Sequence, residues 1–109
     1  MSNFSIWIEA EHWPTSEWNH VDGNTDVIVT LNTNSRWMAT FVSYKNVETL
    51  VRWRGESGED LSGKFLWIAN MVLIDDISRS SIEKVVQHLV DEEELTSVFG
   101  DASRGETEG

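Results

Sequence analysis

No cysteine occurs in this chain. That excludes a disulfide framework, a thiolate nucleophile and a cysteine-ligated metal, and it fits a reducing cytosol. Proline occurs once, at position 14. No apolar run approaches the ~20 residues of a membrane-spanning helix. The longest, Phe65 to Ile74, is broken by Asn70. The first residues, MSNFSIWIEAEHW, lack the basic and apolar regions of a secretory signal. The expectation is a cytoplasmic protein with no membrane partner.

Basic residues are also scarce. Eight Lys and Arg stand against 19 Asp and Glu, a net charge of −11. Such a surface repels phosphate backbones, so nucleic acid is not an expected partner. The few cations are unevenly placed. Arg36, Lys45, Arg52 and Arg54 face only Glu48 between residues 36 and 54. They read as charges that pair within the acidic excess.

Catalytic signatures are missing as well. There is no phosphate loop, no G-x-G-x-x-G, no G-x-S-x-G and no H-E-x-x-H. The serines sit as caps and turn residues. Asp75-Asp76 reads as a turn before a helix, and Asp91 to Glu94 as a helix start rather than a phosphate-mimicking face. His12 and His20 lie near Glu9, Glu11, Glu17 and Asp22, but their spacing of eight matches no common metal site. No catalytic, metal or cofactor-binding residue is assigned, and no cofactor is expected.

What is present suits one small globular domain. Of 109 residues, 39% are apolar and 25% charged. A chain this long buries roughly 60–70% of its unfolded surface, enough for one core. Phe4, Ile6, Ile8 and Ala10 alternate with Ser5, Trp7, Glu9 and Glu11, which predicts a half-buried strand ended by Pro14. Asp26–Leu31 and Arg36–Tyr44 predict a hairpin, apolar on both faces and therefore central in a sheet. Asn46 as N-cap and Gly55 at the end predict a helix over 47–54, followed by a polar loop over 55–63. Lys64–Ile74 predicts a long strand with a bend at Ala69-Asn70. Ser78 or Ser80 caps a helix with an apolar stripe of Ile82, Val85, Val86, Leu89 and Val90. Asp91 with Glu94 has capping-box spacing before a short last helix. Residues 100–109 predict a disordered acidic tail.

The expected fold is α+β: an antiparallel sheet of about four strands, order β-β-β-α-β-α-α, with helices packed on one face, in a single domain over 1–99.

Tryptophan is the unusual abundance, at six. Trp37 and Trp67 fall inside predicted strands and read as core. Trp7, Trp13 and Trp18 sit at polar positions or flank Pro14. Together they form a candidate interface, or else a lid folded over the sheet.

The segments DVIVTL, RWMATFVSYKNVETL, SGEDLSGKFLWIANMVLIDDISR and SIEKVVQHLVDEEELTSVF together resemble a group of small bacterial proteins of unknown function. In size, acidity and tryptophan content the chain also resembles immunity proteins of bacterial toxin systems. These resemblances imply a compact α+β domain in a bacterial cytosol, and no catalytic or ligand-binding residue. Three readings follow. The first is a non-enzymatic protein-binding module, an immunity-like inhibitor of a basic partner. The alternative is a homodimeric small-ligand or regulatory domain, pairing with a copy of itself. The last is a metal-assisted hydrolase built on His12 and His20.

Overall fold

A computed structural model describes residues 4–102, apart from 15, 16, 33, 59, 60 and 62. The strands are β1 (Phe4–Ile8), β2 (Asn24–Leu31), β3 (Arg36–Ser43), β4 (Met71–Ile74) and β5 (Gly100–Asp101). The helices are α1 (Tyr44–Ser57), α2 (Arg79–Asp91) and α3 (Leu95–Val98). The fold is α+β, as the sequence predicts. β1, β2 and β3 form the expected antiparallel meander, with Ile8 opposite Val27 and Val27 opposite Ala39.

The far edge of β3 departs from expectation. β4 runs parallel to β3, because α1 carries the chain back before it re-enters the sheet. β4 pairs only with Thr40–Ser43. The neighbouring stretch, Trp37–Met38, is taken by β5 in antiparallel sense. The two short strands meet end to end. A Cβ on Gly100 would lie 2.5 Å from Asn70 Oδ1, so any larger residue there would push that side chain aside. The sheet therefore extends past the expected boundary at residue 99, and Ala102 N donates to Arg36 O at 2.8 Å. Residues 103–109 of the expected tail lie outside the described residues.

Several element boundaries are corrected. β1 stops at Ile8, well before Pro14, because a 3-10 turn follows over Glu9–His12. Side chains take over the lost pairing: Thr25 Oγ1 accepts from Ala10 N, and Glu9 Oε1 from Asp26 N. α1 starts earlier and ends later than its apolar spacing suggests. Ser43, not Asn46, is the N-cap, and its hydroxyl accepts from Asn46 N. Gly58, at φ 88°, is the C-cap, so Gly55 lies inside the helix. Ser78 caps α2, but no side chain caps α3, so the capping box of Asp91 and Glu94 does not form.

Strand structure in 64–74 is confined to the last four residues. Asn70 turns the chain at φ 53°, at the expected bend, and Phe65 to Ile68 precede it without regular structure. Trp67 is consequently 76% exposed and not core.

One face of the sheet carries the core. Ile8, Val27, Val29, Ala39, Phe41 and Ile74 pack against Ile82, Val86 and Leu89 of α2, Leu95 of α3, and Phe99. Each fully buried aliphatic side chain contributes roughly 1.5–3 kcal/mol relative to exposure. The Phe41 and Phe99 rings meet edge to face at 5.9 Å.

Candidate docking face

The opposite face of the sheet is covered very differently. Side chains alternate along each strand, so the pairing register assigns its residues. One row across it is Trp7, Ile28 and Met38; the next is Asp26, Thr40 and Met71; the third is Asn24, Val42 and Leu73. The middle of the third row is its best covered part. Val42 there is fully buried, and its partner Asn24 donates to Asn46 Oδ1 on the first turn of α1 at 2.8 Å. α1 thus begins over that corner.

The hold on α1 is polar. Asp22 accepts from Asn46 Nδ2 at 2.9 Å and from Thr49 Oγ1 at 2.8 Å. These two bonds hold the Asp22 carboxyl below its ordinary 3.8, with a smaller contribution from the Lys45 and Arg52 charges. Asn46 is the single buried residue among the helix's described positions. Tyr44 and Trp53 are exposed.

The rest of the face is open. Trp7, Met38 and Leu73 are 43%, 38% and 47% exposed. The crossover from β3 to β4 also carries exposed large side chains, Trp53, Phe65 and Trp67. Exposed large apolar side chains on one sheet face are a feature of interaction surfaces. Edge strand β1 is protected by contrast. Arg79 Nη2 donates to Ile6 O at 3.2 Å, closing an outward carbonyl.

The three tryptophans of the candidate interface do not form one surface. Trp13 and Trp18 pack against the core. Trp18 Nε1 donates to Ile77 O at 3.2 Å, which pins the connection between β1 and β2 over the core as a lid. Trp7 alone projects from the other face. Met38, Leu73, Trp53, Phe65 and Trp67 join it in being exposed. Sequence reasoning missed the last two because the largely apolar run that holds them reads as buried strand.

The histidines pack against rings. His12 stacks on Trp7 at 5.2 Å, and His20 meets Trp18 edge-on at 4.7 Å. Glu9 closes the sheet ladder, while Glu11 pairs with Arg79 at 2.7 Å. Among the described residues no three His, Asp or Glu side chains are placed to hold a metal ion. Asp76 accepts from both the hydroxyl and the backbone N–H of Ser78, which lower its pKa and mark it as a turn residue. No helix among the described residues is long and apolar enough to cross a membrane.

No family model, curated protein or solved structure matches this chain. Its function has to be argued from the face itself.

Proposed function

We propose that this protein is a non-catalytic binding module that docks a basic protein partner on the open face of its sheet. The observation that supports the reading is the exposed apolar row of Trp7 and Met38, with Leu73 beyond it, on a body of charge −11. An apolar centre supplies affinity, and the net negative charge of the chain speeds encounter with a cationic surface. An immunity-like inhibitor is one protein of this kind.

Charge argues against a second copy as the occupant. Two chains at −11 each bring −22 together, and that repulsion opposes association unless the contact is large.

The test is affinity capture from the source cells with wild type and a Met38→Asp, Leu73→Asp variant side by side, followed by reconstitution from purified components. The expected result is a basic protein that binds wild type in a defined stoichiometry and is released as salt rises. The variant should bind it at least about tenfold more weakly, the loss of one or two buried anchor contacts. A partner retained equally by the variant, or dimerisation of the wild type through this face, would overturn the proposal.

A further inference from the structure

The outer edge of β1 borders a groove on the core side of the sheet, apart from the open face. β1 ends the strand order, so no strand pairs with its outer side among the described residues. The register shows which backbone groups it presents there. Leu31 N bonds Ser35 O, so Leu31 and, by alternation, Val29 and Val27 turn their backbone groups toward β3. Thr30 and Ile28 turn theirs toward β1, where Ser5 and Trp7 are the bonded partners. The N–H and C=O of Phe4 and Ile6 therefore point outward. Those two sets stand roughly 6.8 Å apart, the two-residue repeat of an extended chain.

The groove holds about 590 Å³. Phe4 and Ile6 line it from the strand, and Arg79, Glu83 and Lys84 from α2. Both apolar side chains are only half-buried, which leaves surface for a ligand to cover. A strand edge facing a helix across a groove is the geometry by which folded domains take an extended peptide as an added strand.

Arg79 guards this edge without sealing it. Its Nη1 holds Glu11 at 2.7 Å and its Nε holds Glu83 at 3.0 Å. Only Nη2 reaches Ile6 O, at 3.2 Å the longest of the three. A backbone N–H arriving at Ile6 O replaces that one bond and leaves both ion pairs intact. Lys84 is the other cation of the groove. It is exposed, and among the described residues no carboxylate pairs with it. The unmatched charge here is thus positive, on a chain whose net charge is −11.

We infer that this groove takes an extended peptide segment of a partner protein, added as a strand beside β1, with an acidic side chain on Lys84. Its backbone satisfies the outward groups of Phe4 and Ile6. Alternate side chains of an added strand fall on the core side of the sheet, where apolar ones cover Phe4 and Ile6 and a carboxylate pairs with Lys84. The site goes beyond the docking face and does not rest on it.

The probe is the capped heptapeptide acetyl-Thr-Val-Thr-Glu-Thr-Val-Thr-amide, which puts its two valines and its glutamate on one side of an extended chain. Its counterpart carries lysine in place of the glutamate. Each is titrated into the full-length protein and followed by amide NMR and hydrogen exchange. The glutamate peptide should slow exchange of the Phe4 and Ile6 amides by at least about tenfold at saturation, the mark of backbone pairing. The lysine peptide should bind about fivefold more weakly, and Lys84→Glu, at an exposed position, should reverse that preference. Absence of binding, or binding that leaves the Phe4 and Ile6 amides unprotected, overturns the added strand. Shifts centred on Trp7, Met38 and Leu73 also overturn it, and leave the docking face standing. A charge preference unchanged by Lys84→Glu overturns the acidic anchor.

Discussion

Replacing Asn46 with alanine should release α1 without unfolding the sheet. Asn46 is 5% exposed and its side chain makes two bonds, to Asp22 Oδ1 at 2.9 Å and from Asn24 Nδ2 at 2.8 Å. The first is charge-assisted and contributes roughly 1.5–3 kcal/mol; the second contributes about 1. Asp22 and Asn24 are only half buried, so water replaces part of what is lost. The net cost is about 2 kcal/mol, or roughly a 30-fold shift in the opening equilibrium of the helix. Besides the Thr49 bond to Asp22, little else resists that opening, because Val47, Leu50 and Val51 are only partly covered. The Ser43 cap bonds the backbone of Asn46 and survives the substitution. Hydrogen exchange of the α1 amides checks this directly. They should exchange about 30-fold faster, while the amides of α2 and the centre of β2 change little. Exchange in α1 within about twofold of wild type would show that apolar contact holds the helix, and the reasoning would be refuted. So would equal acceleration of core amides, because α1 would then open only with the whole domain.

Three further outcomes follow from the same geometry. The Asp22 carboxyl is held below 3.8 by Asn46 and Thr49. A depressed folded value adds stability above the unfolded pKa and loses it as pH falls through the folded one. Urea midpoints of wild type should therefore exceed those of Asp22→Asn near neutrality, and the gap should close as pH drops below about 4; a gap constant with pH contradicts the hydrogen-bond account. Ile82→Ala, at a fully buried position of α2, should cost about 3–4 kcal/mol in urea unfolding. Leu73→Ala on the open face should cost under about 1 kcal/mol, and similar losses at both sites would mean the open face is covered. Arg79→Ala should change stability by less than about 1 kcal/mol, because its ion pairs with Glu11 and Glu83 are partly exposed. It frees the Ile6 carbonyl, so sedimentation should reveal concentration-dependent association through β1.

Local pattern made much of the scaffold legible. Alternation in Phe4–Ile8 is strand geometry, and Val27 and Val29 on one face of β2 follow from the same period of two. The stripe of Ile82, Val86 and Leu89 repeats at the helical period, which is why α2 was readable, with Ser78 one of two candidate caps. The candidate face was legible only in part. Trp7 stood out because it sits out of phase with its apolar neighbours. Trp13 and Trp18 looked the same in sequence, yet a bond to Ile77, 59 positions after Trp18, turns that segment over the core. No local window contains that partner.

What the sequence determined by itself was the set of periodic elements, their order, the acidity of the surface and the chemistries that missing residues forbid. These depend on neighbours a few positions apart or on composition alone. What only the tertiary structure decided was competition for shared edges and faces. The run from Lys64 to Ile74 has strand propensity throughout, but β3 offers it only Thr40–Ser43, since Gly100 and Asp101 occupy the edge beyond. Phe65 and Trp67 are left outside for that reason. Likewise α1, fastened by Asp22 and Asn46 over one corner, leaves Trp7, Met38 and Leu73 uncovered. A backbone hydrogen-bonding edge can serve one strand at a time, and which strand wins is settled by the whole chain.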